Sequence, residues 1–254
     1  MLRLYTFQIS HFSEKARWAL DIEGIPYAEQ VLVPGPHQLV TRRLSKHSSV
    51  PLLVHDRHVV QGSSAIVDYV GERLGGRRLN PTNASELAEA RAFEAELDLA
   101  FGLGIQRVLY GAVLEDRATL TELWSAGGPF WARAFYALAF PAVTAVVKRM
   151  YQTHEPHLVA ASKARFLEQF ENVDALLSKQ PYLGGDQPTR NDIAVAALLA
   201  PLCKPPEHRV KWPETPLVLR DFEAQLRGRP TWNHVLRMYR EHRTRSTHAR
   251  PAGG

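Results

Sequence analysis

The sequence predicts two units of different class: a small open α/β sheet with helices packed on it, followed by an all-helical unit. Three observations carry this. Over the first 75 or so residues, strand and helix signals alternate; residues 75–83, Gly-Gly-Arg-Arg-Leu-Asn-Pro-Thr-Asn, break every periodicity; beyond them apolar residues recur only at helical spacing.

Leu2–Phe7 is a short run of strand formers, followed at once by a helical pattern in which Phe12, Ala16 and Leu20 share a face. Ser10 stands where that helix's N-cap belongs, and Gly24 follows the last apolar residues as a stop. Pro26 leads into a second strand over residues 27–33, ended by Pro34-Gly35-Pro36, and residues 41–46 form a short helix. Two further apolar runs, residues 50–54 and 58–61, flank His55-Asp56-Arg57 as a hairpin flanks its turn. Ser63 or Ser64 then opens a helix that buries Ile66, Val70 and Leu74.

After the break, Phe93, Leu97, Phe101, Ile105 and Val108 make one helical stripe, and Phe166, Phe170, Val173 and Leu177 another. Residues 120–151 hold Trp124, Phe130, Trp131, Phe135, Tyr136, Phe140 and Tyr151; such a stripe serves a core or interface, or else walls a ligand pocket. Thr189 and Asp192 form a capping box ahead of an almost wholly apolar helix, a folding element without chemistry of its own. The boundaries read as residues 1–76 for the sheet domain, 77–86 for the linker, 87–242 for the helical domain, and 243–254 for a disordered basic tail.

A chain of 254 residues has room for both cores. One cysteine, Cys203, excludes a disulfide framework and a cysteine-based zinc site, and no metal is expected. The N-terminus lacks a secretion signal, so the expected location is the cytoplasm. The longest uncharged apolar run, residues 134–147, is too short for a bilayer and contains Pro141; a buried helix pair is expected there, with no stable membrane insertion. The net charge of +5 comes largely from arginines near the end and has no nucleic-acid motif beside it, so no nucleic-acid partner is expected.

Chemistry concentrates at Ser10. A hydroxyl at a helix N-terminus lies among unpaired N–H groups at the positive end of the dipole, a place that stabilises an anion. Taken alone, the same serine simply caps its helix. A second point of interest is Val50-Pro51 at a strand start: a cis bond there would expose the Val50 backbone to an added extended peptide, whereas an ordinary trans proline would not.

Together these stretches resemble the cytosolic glutathione transferase superfamily over nearly the whole length. Ser10-His11-Phe12-Ser13-Glu14-Lys15-Ala16-Arg17 is similar to the Ser-x-x-Ser/Cys-x-x-x-Arg motif of the zeta class and the Cys-Pro-Phe-Ala-Glu-x-x-Arg motif of the omega class. Val50-Pro51-Leu52-Leu53 matches Val-Pro-x-Leu, whose proline is cis in the family. Gly62-Ser63-Ser64-Ala65-Ile66 resembles the Glu/Asp/Gln-Ser-x-Ala-Ile signature, and residues 189–193 match the Ser/Thr-x-x-Asp box.

The resemblance implies a thioredoxin-like domain that binds glutathione as co-substrate and an all-α domain that supplies an electrophile pocket, commonly in a homodimer. Ser10 would hold the glutathione thiolate, with Ser13 as a second hydroxyl. Val50 and Pro51 would receive the cysteinyl backbone, Ser63 and Ser64 the γ-glutamyl carboxylate, and His37 the glycine carboxylate. Phe12, Trp131 and Phe135 would line the electrophile pocket. Tyr5, near the end of the first strand, competes with Ser10 and reads better as core. A serine at position 10 favours conjugation, or a related addition or isomerisation, over disulfide reduction. Gly62 departs from the pattern: the usual acid or amide there would help with the ligand's ammonium group, a task that would pass to Gln61 or go undone. The expected function is therefore a glutathione transferase acting on a small hydrophobic electrophile, the alternative being a non-catalytic binding protein of the same fold.

Overall fold

The computed structural model describes residues 1–243 and 250–251. Strand β1 (Leu2–Phe7) runs into helix α1 (His11–Ile22), and β2 (Ala28–Leu32) returns parallel to β1. Helix α2 (Gln38–Leu44) precedes the hairpin of β3 (Leu52–His55) and β4 (His58–Gln61), and α3 (Ser63–Arg73) closes the domain. Among the described residues the sheet order is β4-β3-β1-β2-β5, where β5 is the pair Arg250–Pro251 laid parallel to Ala28 and Glu29.

The period-two alternation of β1 sorts its side chains between two faces. Leu4 packs with Leu53 under Ala16 and Leu20 of α1 and Ile66 and Val70 of α3. Tyr5 points the other way and joins Leu32 and Leu52 against Val40 and Leu44 of α2, so it is a core tyrosine.

The helical part comprises α4 (Ala84–Leu97), a π-helical segment (Asp98–Gly104), α5 (Ile105–Val113), α6 (Arg117–Ser125), α7 (Ala132–Tyr151), α8 (Pro156–Leu177), α9 (Arg190–Cys203), α10 (Arg220–Ala224) and α11 (Pro230–His242). Helix α9 is its axis. The capping box forms as expected: Asp192 Oδ2 accepts the Thr189 backbone N–H at 2.8 Å and its hydroxyl at 2.8 Å. Every residue from Arg190 to Ala200 is buried, and Trp18, Ala19 and Val67 of the sheet domain share one core with it. The linker is held by Glu23, whose carboxylate accepts the backbone N–H groups of Arg77, Arg78 and Leu79.

Three expectations need correction. The apolar run at residues 134–147 forms one helix, α7, and not a buried pair; its outer face leaves Leu138 88 % and Met150 64 % exposed. Proline at 141 removes an N–H that would bond the carbonyl four residues back, but Arg117 donates to that Ala137 carbonyl instead, so the helix continues. Among the described residues no helix is long and apolar enough to cross a membrane. The helical domain starts earlier than expected, at Ala84, because Asn83 caps it by accepting the Ser85 N–H at 2.8 Å. Finally, Arg243 is no part of a free tail: its side chain is buried, 2.7 Å from both Glu14 and Asp21. The tail expectation for residues 244–249 and 252–254 lies outside the described residues.

Candidate functional site

The turn between β1 and α1 is fixed by the two other polar members of the serine motif. Arg17 reaches back to donate to the Phe7 carbonyl at 3.1 Å, and the Ser13 hydroxyl accepts the Phe7 N–H at 3.4 Å. Both side chains are fully buried. Arg17 is itself held by Glu29 at 2.5 Å and Glu14 at 3.3 Å. Glu14 would be raised by burial, but Arg243, His208 and Arg17 together hold its carboxyl well below the usual range, so it stays ionised. Spacing Ser10, Ser13 and Arg17 at 3 and 4 residues thus has a local cause: the last two clamp the end of the strand and so present the first.

Ser10 is the N-cap of α1, with extended backbone (φ −74°, ψ 117°), and its Oγ accepts the Ser13 N–H at 3.1 Å. It is half-buried. A hydroxyl has one proton to give, and that of Ser10 has no acceptor among the described residues.

The Val50–Pro51 bond is cis. The segment before it is pinned by Gln61, whose amide donates to the Ser49 carbonyl at 2.7 Å and the His47 carbonyl at 3.0 Å while its oxygen accepts the Ser45 hydroxyl at 2.6 Å. Gln61 is therefore occupied with the loop. Gly62 has φ +95°, and a Cβ there would meet nothing within 4 Å, so conformation and not crowding calls for glycine. Ser63 follows as the first residue of α3, buried. Ser64 faces the helical domain: it donates to Asp98 at 2.7 Å and accepts from Lys15 at 3.0 Å. Lys15, fully buried, also pairs with Glu94 at 2.9 Å and Asp98 at 2.5 Å. His37 stacks edge-on against Phe7, and its Nδ1 accepts the Gly35 N–H at 3.1 Å. Burial, with Arg42 adding to it, lowers its pKa and keeps it neutral.

The residues flanking Ser10, Ile9 and His11, line a small apolar cleft of about 110 Å³ that they share with Leu109 and Tyr110 of α5, Leu202 of α9 and Trp212. The aromatic residues expected to line an electrophile pocket lie elsewhere. Phe12 packs on Gly102, where a Cβ would collide with its ring. Phe135 closes over Gly35 and touches Trp131 and Tyr136, and neither Phe135 nor Trp131 lines this cleft. What the sequence reading missed is His11 and Trp212. His11 is signalled by its place next to the N-cap; Trp212 sits in a proline-rich stretch with no periodicity to read.

Residues 4–78 match the sequence profile of the glutathione S-transferase N-terminal domain. A glutathione S-transferase of Pseudomonas putida is 28 % identical over 99 residues, 39 % of this chain and 44 % of that protein. Residues 4–78 are thus similar to the N-terminal domain of glutathione S-transferases. The matched segment spans less than half the length of that relative. Whole-length similarity is to folds: the β-etherase LigF from Sphingobium sp. strain SYK-6 aligns over 92 % of this chain and 98 % of its own at TM-score 0.61 and 19 % identity. A theta class glutathione S-transferase from Xanthomonas axonopodis pv. citri, with glutathione bound, aligns over 97 % and 99 % at TM-score 0.55 and 21 % identity. The architecture is thus the thioredoxin-like sheet domain followed by the all-α domain of glutathione transferases.

Proposed function

We propose that this chain is a glutathione transferase in which the Ser10 hydroxyl holds the glutathione thiolate for addition to a hydrophobic electrophile. The observation that carries the reading is the division of labour between two serines. Each hydroxyl accepts one backbone N–H, but Ser13 is fully buried, while Ser10 is half-buried at a helix N-terminus between Ile9 and His11, both of which line an apolar cleft. A free thiol titrates near pKa 8.5, and lowering that by about two units takes about 2.7 kcal/mol. One charge-assisted hydrogen bond of roughly 1.5–3 kcal/mol, helped by the dipole, is of that size.

The chain's own thiol does not compete. Cys203 is buried, and burial together with Glu223 pushes its pKa well up. The nucleophile must then arrive with a ligand. Val50 would pair with the cysteinyl backbone, Ser63 would meet the γ-glutamyl carboxylate at the start of α3, and His37, whose ring is already bonded to the Ser48 backbone, would lie toward the glycine end. The geometry of Ser64 favours a part in joining the domains over direct ligand contact.

A thermal-shift titration tests the reading, since a ligand that binds the folded state must raise the midpoint by mass action. Glutathione at about 100 times its Kd should contribute about 2.7 kcal/mol. No shift at millimolar glutathione would overturn the assignment and leave a binding protein of the same fold.

A further inference from the structure

Helix α7 packs Tyr136, Phe140, Val143 and Val147 against Val33, Leu120 and Trp124, and leaves its opposite face to solvent. That outer face is apolar. Leu138, Val146 and Met150 are exposed along it, and Phe130, 98 % exposed, and Trp131 stand at its N-terminal end. The residues between them, Ala134, Pro141, Ala142 and Ala145, are exposed too and carry no polar side chain. A contiguous apolar surface of this kind marks a place that a partner or a membrane covers.

Charge decides which. Residues 123–154 contain no aspartate or glutamate, and the exposed charges on α7 are Arg133 near one end and Lys148 and Arg149 at the other. Glu122 of α6 shares a hollow with Arg133, but Arg117 lies in the same hollow and offsets it. A second copy of this chain would set cations against cations whichever way the two helices ran, so the face is not complementary to itself. A polyanion in water would satisfy the cations and leave the apolar side chains wet. An anionic bilayer surface satisfies both: aromatic rings sit at headgroup level, aliphatic side chains reach the acyl boundary, and the long stems of lysine and arginine carry their charges to the phosphates. A helix of 20 residues offers about 30 Å for such a contact.

We propose that the outer face of α7 docks the protein reversibly on anionic phospholipid surfaces, with the helix axis in the plane of the interface. Docking of this kind needs nothing from the glutathione site and stands apart from the transferase assignment.

The test is co-sedimentation of the full-length protein with vesicles of phosphatidylcholine alone and of phosphatidylcholine with about one-third phosphatidylglycerol. Binding should be at least about tenfold stronger to the anionic vesicles, and that preference should vanish as salt rises from about 50 mM to about 500 mM. Lys148→Gln combined with Arg149→Gln should weaken binding about fivefold per charge removed, and Leu138→Gln about tenfold. Val59→Gln changes an exposed residue of β4, at the other edge of the sheet from the β2 end on which α7 packs, and should leave binding within about twofold. All these positions are exposed, so the thermal midpoints should match wild type. Equal binding to both vesicle types, binding to neither, or either α7 variant binding as wild type does would overturn the proposal. So would a lipid-free dimer that Leu138→Gln splits into monomers, because the face would then belong to a second copy.

Discussion

Helix α1 carries two kinds of buried polar residue, separated by one turn. In its middle, Glu14, Lys15 and Arg17 are fully buried and each has opposite charges at hydrogen-bond distance. At its N-terminal end, Ser10 has an undirected proton and His11 a nitrogen with no partner. The first set is saturated from inside the protein and joins the domains: Lys15 to Glu94 and Asp98, Glu14 to Arg243. The second set has bonding capacity left over, and its His11 lines the cleft.

The comparison breaks most visibly at Lys15. Removing one partner of a buried ion pair leaves the other charge uncompensated, at a cost of about 3–5 kcal/mol. Lys15→Ala should lower the urea unfolding free energy by about that amount, through Glu94 and Asp98. A loss under about 1 kcal/mol would mean that the middle of α1 is not the staple its contacts suggest. Next in size is Ser10→Ala, expected to cut kcat/KM about 10–100-fold and to raise the pKa seen in the thiol's pH–rate profile. Glutathione affinity should hold within about threefold, because the change acts on the thiolate and not on the peptide's remaining contacts. An unchanged profile would remove Ser10 from the mechanism.

His11 gives a pH test. Its folded pKa, near 3, lies below the ordinary 6.5, so the unfolded chain takes up a proton that the folded one refuses. Its contribution is intact above about pH 6.5 and drains as pH falls toward 3, by up to about 1.4 kcal/mol per pH unit. Glu14, whose folded pKa is depressed, adds a further loss in the carboxylate range, common to both proteins. Denaturant unfolding at pH 7 and pH 5 should therefore show His11→Phe losing less on acidification than wild type. Equal losses would mean that the imidazole is solvated.

Most of the sheet domain was legible, because its signals are local: a strand's alternation, a serine before a helix, the turn His55-Asp56-Arg57 between two apolar runs. The capping box at Thr189 is local too. What was not legible joins residues far apart. Lys15 meets Asp98 across 83 positions, and Glu14 meets Arg243 across 229, so nothing near either residue announces the pairing. Arg243 read as part of a charged tail for that reason, when its guanidinium lies against Glu14, Asp21 and the Trp18 ring of α1. Pro141 was a local signal with a misleading local meaning, since the group that rescues the helix is Arg117 on another element. The candidate site divides the same way. Ser10, Val50 and Ser63 announce themselves by motif, whereas the cleft is assembled from α1, α5, α9 and residue 212 and has no linear signature.

The smallest effect offers the sharpest separation of the two serines. Ser13 accepts the Phe7 N–H at 3.4 Å, and alanine there would leave that N–H without a partner at a cost of about 1 kcal/mol. Ser10→Ala loses an N-cap and should cost about the same in stability. Calorimetric unfolding would thus rank the two variants as equals, while kcat/KM with glutathione would part them: a large drop for Ser10→Ala, and a change within about threefold for Ser13→Ala, whose hydroxyl faces the turn and not the cleft. Were Ser13→Ala to lose activity as Ser10→Ala does, the hydroxyl that holds the sulfur would have to be reached by opening the β1–α1 turn. The clamp from Arg17 to the Phe7 carbonyl opposes that motion.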